Sequence, residues 1–476
     1  MNHSVQERRA YVSLLYGEEF CLGMRVLGQS ILLSDTDADL VALVAGKISG
    51  SCLKTIQDDG WIIKRSEIVS NPTVDHPKKF SGVYTKLVLF GGFSEYEQVI
   101  FLDADTIVVK NIDHLFLCDG FCAVLRHSER FNTGVMAIKT DASLVQDMLA
   151  KVHLLPSYTG GDQGFLNEYM KTFACSPMFY PDQGVPLSRY KAAMQLCHDG
   201  EKPPIKHMGR IPTTYNADLG LFVLNHNSWP FEEDGIRVIH YTLGPVKPWK
   251  WWSLWALGQD AMEPWIQHRN NLQSSGSCIF GTDSFWRGVF IYQNRDNLLG
   301  LCLWAVSMAL GYRHLLSIFG RERSNIIATS PNKRVTTTLL AISPRSMKRT
   351  SNLMACVVGY CSVVMSVITA FAIIPTQVCP WTGYFMAVII VSFTFPLLNE
   401  LFWYHIAGHS RKSSGLNGQR LLRAVVVYLC ISILVMYPPW ITLMYFKTIW
   451  SSLSGLMGLE LVSLILCGFL FQHSHP

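Results

Sequence analysis

The chain lacks several of the motifs by which nucleotide-using enzymes are recognised. No Gly-x-Gly-x-x-Gly follows the first predicted strand and no Gly-x-x-x-x-Gly-Lys-Ser/Thr occurs in the 476 residues, which counts against dinucleotide oxidoreductases and P-loop enzymes. Paired Cys-x-x-Cys motifs are also absent, so the 13 cysteines do not resemble a zinc site. The net charge of +5 comes largely from loops in the C-terminal part and does not argue for nucleic acid as a partner.

Charged residues are scarce after about residue 297, where long apolar stretches are separated by short polar ones. The hydrophobic fraction of the whole chain is 49%, which is high for a soluble protein. We therefore predict a globular domain over residues 1–255, a linker over 256–296 and an integral membrane region over 297–476. The stretches long enough to span a bilayer are Asn297–Gly320, Leu353–Ile374, Trp381–Tyr404, Ala424–Phe446 and Leu453–Phe471. We therefore predict about five spans. Pro438 and Pro439 would kink the fourth or end it early, so a count of four or six is also possible.

Loop charges indicate an orientation for these spans. The segment between the first two is marked as cytoplasmic by its basic residues, which are Arg321, Arg323, Lys333, Arg334, Arg345, Lys348 and Arg349. The N-terminal domain then falls on the lumenal side. Met1–Ala10 is polar, however, and no signal-peptide core precedes the domain, so either this sequence lacks its natural N-terminus, which we favour, or the domain is cytosolic. In a lumenal setting Cys118 and Cys122 could close a small loop, although buried free thiols explain most cysteines equally well.

Strand and helix signals alternate through the N-terminal domain. Short apolar runs predict strands at Tyr11–Tyr16, Asp39–Ala45 and Trp61–Ile63, whereas Glu18–Leu33 and Gly82–Phe90 are predicted to be helices. Such alternation predicts an α/β fold with a parallel sheet and helices on both faces. In such folds ligands bind beyond the carboxyl ends of the strands.

Two carboxylates follow the apolar run Val99–Leu102, which is typical of a buried central strand. Asp103 and Asp105 are costly to embed at the end of such a strand unless something neutralises them. A divalent cation that also binds the phosphates of a sugar nucleotide would do so. Asp-x-Asp alone is a weak signal, because a solvated turn has the same sequence, so the metal interpretation depends on other segments.

Two further segments place polar groups beside predicted strands or helices. Asn132 enters the short strand Phe131–Met136, where it either belongs to a β-turn or hydrogen-bonds sugar hydroxyls. Asp162 and Gln163 follow two glycines at the start of a helix that runs to Met170. Asp162 is either a helix N-cap or, together with the amide of Gln163, part of a substrate site that the glycines let a ligand approach.

A histidine and a lysine follow the predicted strand Arg237–Ile239. His240 at a strand end is most often structural, but a Gly-Pro turn and Lys247 come after it, so an imidazole and an ammonium could face one diphosphate. An aromatic cluster then precedes the predicted membrane region, where interfacial anchoring explains it at least as well as sugar stacking. The cluster comprises Trp249, Trp251, Trp252 and Trp255.

In this order, the segments resemble family eight of the retaining glycosyltransferases, the glycogenin-like group. The matching motifs are YVSLLYG, GVYTKL, FLDADTIVV, FNTGVM, GGDQGFLN and HYTLGPVKPW, spread over Tyr11–Trp249. The resemblance implies a GT-A type nucleotide-sugar transferase domain that uses a UDP-sugar donor and Mn²⁺. A histidine beside two carboxylates also favours manganese over magnesium.

The resemblance implies residue roles as well. The metal ligands would be Asp103, Asp105 and His240. Catalytic residues at the sugar end would be Asp162, Gln163, Asn132 and Lys86, and the nucleotide would contact Leu14, Tyr16, Ala104, Gly244 and Lys247 in addition to the two metal-binding carboxylates. Retention would come either from transfer in which the departing phosphate takes the acceptor proton, or from a covalent intermediate on Asp162.

Within that family the chain departs from the glycogenins. Thr159 stands where they have Asp, and they have no multispan C-terminal region. That region instead resembles the plant starch-initiation proteins classed as glucuronosyltransferases. This implies a Golgi enzyme that transfers glucuronic acid to a lipid acceptor in the membrane, such as inositol phosphorylceramide, with Lys78 or Lys79 near the glucuronate carboxylate. The alternatives are a polysaccharide or protein acceptor, and a non-catalytic membrane scaffold or transporter that kept the fold.

Overall fold

The computed structural model describes residues 8–72, 82–93, 95–126, 129–190, 203–244, 246–254, 259–272, 359 and 361–406. The chain forms two compact units, of which the first comprises residues 1–249 with 256–276 and the second residues 250–255 with 277–476. Part of the predicted linker, Gln259–Asn270, is a helix of the first unit. Residues 273–296 of that linker lie outside the described residues.

The strands of the first unit form a large sheet and a small one. They are β1 (Arg9–Leu15), β2 (Asp39–Ala45), β3 (Ile62–Ser66), β4 (Gln98–Leu102), β5 (Thr106–Val108), β6 (Phe121–Leu125), β7 (Phe131–Lys139), β8 (Met208–Ile211), β9 (Ala217–Asp218) and β10 (Val238–His240). The large, seven-stranded sheet has the order β3-β2-β1-β4-β7-β6-β8, and the small one has the order β5-β10-β9.

The large sheet is mostly parallel, as the alternation of strands and helices predicts. The exception is β7, which pairs antiparallel with both β4 and β6. Only residues 126–130 connect β6 to β7, and such a connection suits a hairpin but is too short for the crossover that a parallel pair needs. The prediction of a mostly parallel central sheet is therefore confirmed, and β7 is its antiparallel strand.

The two faces of the large sheet are covered by separate cores. Tyr11 and Leu15 of β1 belong to one buried cluster, whereas Val12 and Leu14 belong to the other. Successive side chains of a strand point to opposite faces, so an unbroken apolar strand such as β1 must be buried on both. This arrangement leaves the strand ends as the places where polar side chains can gather.

Helices cover these faces. The α-helices of the first unit are α1 (Cys21–Leu32), α2 (Gly50–Asp58), α3 (Ala142–Lys151), α4 (Asp162–Tyr169), α5 (Leu219–Leu224) and α6 (Gln259–Asn270). Its 3-10 helices are Glu18–Phe20, Val83–Phe90, Asp113–Leu117, Lys171–Cys175, Pro181–Gln183, Leu187–Arg189, Thr213–Asn216 and Glu233–Gly235. The predicted helices over 18–33 and 82–90 are thus present, but the first begins with a 3-10 turn and the second is 3-10 throughout.

Disulfides cross-link the first unit. Cys118 and Cys122 form the small loop that their spacing allows, so the prediction of this bridge is confirmed. A second disulfide joins Cys21 at the start of α1 to Cys52 in α2, and Cys175 is also disulfide-bonded. The free-thiol alternative is therefore wrong for these cysteines.

The second unit contains two helical segments among its described residues, 361–373 and Pro380–Ile406. They coincide with parts of the second and third predicted spans. The predicted spans at 297–320, 424–446 and 453–471 lie outside the described residues. Among the residues that the structure describes, no helix combines the length and the hydropathy that a membrane crossing needs.

Candidate functional site

The turn Asp103–Ala104–Asp105 carries the chain from β4 of the large sheet to β5 of the small sheet. Its geometry is held by hydrogen bonds, because the N–H of Asp103 donates to the carbonyl of Gly134 at 2.8 Å and the hydroxyl of Thr106 donates to the carbonyl of Asp103 at 2.7 Å. Ala104 is buried, and the side chain of Asp105 is only 12% exposed. A solvated turn is therefore the wrong interpretation of this segment.

His240 reaches the same place from the small sheet. It ends β10 and pairs in antiparallel register with Thr106, the residue that follows Asp105. Its Nε2 lies 3.3 Å from Oδ1 of Asp105 and 3.9 Å from Oδ2 of Asp103. One ligand atom from each of these three side chains lies within 4.8 Å of the others, so the set could hold a metal ion. Two carboxylates and an imidazole form a donor set that fits Mn²⁺.

A glycine makes room for the imidazole. Gly134 lies in β7, and a Cβ at this position would come within 2.1 Å of Cε1 of His240. Any other residue at position 134 would therefore push the ring away from the carboxylates. The close approach explains why a glycine stands in the middle of a central strand, where it otherwise weakens the sheet.

Lys247 is the cationic partner of Asp105. Its Nζ forms an ion pair with Oδ2 of Asp105 and donates to the carbonyl of Tyr241 at 2.8 Å. Burial raises the pKa of the Asp105 carboxyl, but Lys247 and His240 lower it by more, so the pKa lies below its usual range. Asp105 is therefore ionised at physiological pH and suited to binding a cation.

Lys86 joins the first carboxylate of the turn to the predicted sugar end. Its Nζ lies 2.8 Å from Oδ1 of Asp103 and 3.1 Å from Oδ2 of Asp162. Burial lowers the pKa of the Lys86 ammonium, but the two carboxylates raise it by more, so the group stays charged. The pKa of Asp103 is raised, in contrast to that of Asp105, because burial raises it by more than Lys86 lowers it.

The other side chains predicted at the sugar end meet beside this cluster. Gly161 occupies the N-cap position of α4 and Asp162 is the first helical residue, so the N-cap alternative for Asp162 is wrong. Oδ2 of Asp162 accepts from the hydroxyl of Thr133 at 2.8 Å. Asn132 lies within β7, not in a β-turn, and its Nδ2 donates to Oε1 of Gln163 at 3.0 Å. The structure therefore brings these residues together, while their catalytic roles stay predictions.

The residues predicted to bind the nucleotide are more dispersed. Leu14 and Tyr16 lie at the carboxyl end of β1, the strand next to β4, but Leu14 is buried in the core. The ring of Tyr16 lies against Gly82, where a Cβ would come within 2.6 Å of Cδ2. Gly244 is exposed in the loop between β10 and Lys247. Lys78 and Lys79 lie outside the described residues.

The predicted tryptophan cluster is divided between the two units. Trp249 is buried and its ring packs edge-on against Phe20 at 5.5 Å, which does not suit sugar stacking. Trp251 and Trp252 pack against Phe371 within the second unit, with ring centroids at 5.1 and 5.5 Å. Trp255 lies outside the described residues.

Two residues that were not predicted from the sequence hydrogen-bond to the predicted site residues. Thr133 holds Asp162, and Asn216 contacts both His240 and Asn132. Neither belongs to a pattern that marks a ligand. In the sequence, the available signal for Asn216 is a polar amide shortly before the apolar residues of Leu219–Leu224.

Comparison with known proteins identifies the family. The model of glycosyl transferase family 8 matches residues 16–120, which include Lys86 and the Asp103–Asp105 turn. The chain is 37% identical over 423 residues to inositol phosphorylceramide glucuronosyltransferase 1 of Arabidopsis thaliana, covering 84% of this chain and 74% of that protein. The chain belongs to glycosyltransferase family 8. Its first unit is thus a family 8 domain with the GT-A type α/β fold and a mostly parallel central sheet, as the motifs imply.

Other similarities cover less of the family 8 chain or are weaker. A putative UDP-glucuronate:xylan alpha-glucuronosyltransferase 5 of Arabidopsis thaliana is 37% identical over 164 residues, which are 34% of this chain and 29% of that protein. Among solved structures, the galactosyltransferase LgtC in complex with donor and acceptor sugar analogs has a TM-score of 0.38 and 17% identity, and the match covers 59% of this chain and 99% of that chain.

Proposed function

We propose that this chain is a retaining glycosyltransferase that moves glucuronic acid from UDP-glucuronic acid to a membrane lipid such as inositol phosphorylceramide. The observation that carries the proposal is the 37% identity over 84% of the chain to the plant protein named inositol phosphorylceramide glucuronosyltransferase 1. The cluster of Asp103, Asp105 and His240 adds that the groups needed to hold a nucleotide diphosphate with its metal meet in this chain.

Mn²⁺ is the metal that we propose for this cluster. A cation held by Asp103, Asp105 and His240 would supply Lewis-acid stabilisation of the charge on the departing UDP. Lys247 is placed to add a second positive charge, since its ammonium already lies against Asp105. Tyr16 and Leu14, at the end of the neighbouring strand, are the residues that we propose for the uracil.

The sugar would lie between Asp162 and the amides of Asn132 and Gln163. Both Lys86 and Thr133 contact Oδ2 of Asp162, and we propose that Oδ1 is the oxygen used toward the sugar. Two uses of Oδ1 fit this arrangement. In the first, Oδ1 accepts a hydrogen bond from a sugar hydroxyl while the departing phosphate takes the acceptor proton. In the second, Oδ1 attacks the anomeric carbon as its bond to UDP breaks, and the acceptor oxygen then displaces the carboxylate as it loses its proton.

The acceptor and the location are proposed from separate observations. The long apolar stretches after residue 297 support a membrane region that would keep the active site near a lipid acceptor. The disulfides Cys21–Cys52 and Cys118–Cys122 support an oxidising compartment for the first unit, as in the lumen of the secretory pathway. We therefore propose a multi-pass Golgi membrane protein with a lumenal catalytic domain.

A polysaccharide acceptor is the second candidate. The observation that favours it is the 37% identity to a putative xylan glucuronosyltransferase, which however extends over only 34% of this chain. A non-catalytic scaffold is disfavoured, because the charged residues of the site are present and meet in one cluster.

The test is a transfer assay with the full chain purified in lipid nanodiscs. UDP-glucuronic acid, UDP-glucose and UDP-galactose are each offered with inositol phosphorylceramide or with xylan oligosaccharides, after metal removal and with Mn²⁺, Mg²⁺ or Ca²⁺ added back. Products are identified by mass spectrometry. We expect a glucuronosylated sphingolipid that forms with UDP-glucuronic acid and Mn²⁺ and is lost in Asp105→Asn.

Each arm of the assay can contradict a different part of the proposal. A glucuronosylated oligosaccharide without lipid product would move the function to the polysaccharide candidate. Preference for UDP-glucose would sink the donor assignment, and full turnover in the absence of any divalent cation would sink the metal assignment.

A further inference from the structure

Asn216 lies between the metal-ligand cluster and the sugar-end amides, and no described role uses it. It ends the 3-10 helix Thr213–Asn216, directly before β9, and is fully buried. A buried amide must satisfy its donors and acceptors within the protein. The partners of Asn216 therefore reveal what the side chain does.

The oxygen end of the amide faces the metal ligand. A single nitrogen of the Arg126 guanidinium donates both to the backbone carbonyl of Asn216 and to its Oδ1, each at 3.1 Å. Oδ1 is thereby identified as the acceptor end, since guanidinium has no acceptor. Nδ1 of His240 lies 3.0 Å from the same Oδ1, so Nδ1 carries the proton and donates it to Asn216. In the neutral imidazole with this tautomer, the lone pair available to a metal is on Nε2, which faces Asp103 and Asp105.

The nitrogen end of the amide faces the sugar-end pair. Nδ2 of Asn216 donates to Oδ1 of Asn132 at 2.9 Å. That oxygen also accepts from the backbone N–H of Gly134 at 2.9 Å, which fixes the Asn132 amide in one orientation. Nδ2 of Asn132 is consequently aimed at Oε1 of Gln163, and Nε2 of Gln163 donates to the hydroxyl of Tyr158 at 3.0 Å. The side-chain hydrogen bonds thus form one series, in which each group donates to the next from His240 through Asn216, Asn132 and Gln163 to Tyr158.

We infer that Asn216 is a positioning residue that ties the metal ligand His240 to the sugar-orienting pair Asn132 and Gln163. Its oxygen selects the imidazole tautomer that can bind a metal, and its nitrogen selects the amide orientation of Asn132. Groups behind a metal ligand commonly set metal affinity in this way. The inference rests on the proposed function, because it takes the cluster to be a metal site and the amides to be a sugar site.

Two substitutions separate the contribution of the amide nitrogen of Asn216 from that of its oxygen. Asn216→Asp keeps an oxygen for His240 and Arg126 but places a second oxygen against Oδ1 of Asn132, where two acceptors repel. Asn216→Ala removes both contacts. We expect Asn216→Asp to bind Mn²⁺ like the wild type and to lose kcat about tenfold or more, because the amide pair is misoriented. We expect Asn216→Ala to lose kcat and, in addition, Mn²⁺ affinity by about 10- to 100-fold.

The experiment measures Mn²⁺ binding by electron paramagnetic resonance on the full chain in nanodiscs, alongside kcat and KM for UDP-glucuronic acid and thermal unfolding. Asn111→Ala is the matched control, because Asn111 also makes three amide hydrogen bonds, to Ser34, Asp35 and Asp113. It should lower the unfolding temperature and leave both Mn²⁺ affinity and kcat unchanged.

Equal Mn²⁺ affinity in wild type and Asn216→Ala would overturn the inference while leaving the proposed function intact. Wild-type kcat in Asn216→Asp would overturn the sugar end of it. If Asn216→Ala does not fold, Asn216→Asp still tests the sugar end of the inference through kcat. A wild type that binds no Mn²⁺ would instead refute the proposed metal site, and the inference with it.

Discussion

The candidate site has two parts that are built by different forces. The charged part comprises Asp103, Asp105, His240, Lys86 and Lys247, in which carboxylates are paired with ammonium groups and an imidazole. The amide part comprises Asn132, Gln163 and Asn216, in which neutral side chains are joined end to end by hydrogen bonds. Attraction between charges is strong but depends little on orientation. Hydrogen bonds between amide side chains are weaker, but they fix the orientation of each group. The charged part therefore suits a diphosphate with its cation, and the amide part suits the placing of a sugar ring.

Removing a carboxylate from the charged part should cause the largest loss. Asp105→Ala deletes a proposed metal ligand and removes the carboxylate that Lys247 and the buried His240 face. We expect transfer from UDP-glucuronic acid to fall on the order of 10²- to 10³-fold. The control is Asp58→Ala, whose exposed carboxylate forms a surface ion pair with Lys54, so activity should stay within about twofold. Comparable turnover in the two variants would contradict the charged part as the catalytic one.

Filling the space beside the imidazole should have the next largest effect. In Gly134→Ala the new methyl group would collide with His240, so we expect Mn²⁺ affinity to fall by about 10- to 100-fold. Gly50→Ala is the control, because a Cβ there meets nothing within 4 Å. Mn²⁺ titration followed by electron paramagnetic resonance measures both. Unchanged affinity in Gly134→Ala would show that His240 is not a ligand.

Breaking the amide part should give a smaller loss of a different kind. Gln163→Ala removes the contacts to Asn132 and Tyr158. We expect kcat to fall about fivefold, since one such hydrogen bond is worth about 1 kcal/mol, and Mn²⁺ affinity to stay unchanged. Steady-state kinetics with the exposed Gln57→Ala as control would test this. A parallel loss of Mn²⁺ affinity would mean that the two parts are not functionally distinct.

The smallest effect on transfer is expected from a change outside both parts. Cys118→Ala/Cys122→Ala opens a disulfide of sequence separation 4, and the short loop should cost about 2 kcal/mol of unfolding free energy. Transfer kinetics at 25 °C should match the wild type, while denaturant unfolding shifts to lower midpoint. An altered donor KM would show that this loop shapes the site after all.

The charged part could be predicted from the sequence because its residues stand in motifs that resemble those of family eight, whereas the apolar strands alone left the roles of Asp103, Asp105 and His240 open. Asp103, Asp105 and His240 were all predicted as ligands, and the structure brings them together. The amide part was predicted only at Asn132 and Gln163. Asn216 was not predicted, because its contacts depend on how β9, β10 and β7 are arranged in space. A neutral amide also adds nothing to the hydrophobic periodicity or the charge pattern of the sequence.

The fold was predictable to a similar degree. Strand β2 has the predicted bounds, Asp39–Ala45, because an unbroken apolar run with polar flanks has few alternatives. The direction of β7 was not predictable from its own residues, since it depends on the length of the preceding connection. Likewise Gly82–Phe90 has helical spacing, and only tertiary packing decides that Val83–Phe90 is wound as a 3-10 helix.

The turn Asp103–Asp105 is also the place where the backbone leaves one sheet and enters the other. Asp103 continues from β4, whereas His240 belongs to the small sheet that is joined to this crossing through β5. A ligand that binds both side chains would therefore link the two sheets. Because such a ligand binds only the folded state, its binding would raise the free energy of unfolding. Backbone amides of β10 should accordingly exchange with deuterium more slowly when donor and cation are present, even though the strand is only three residues long.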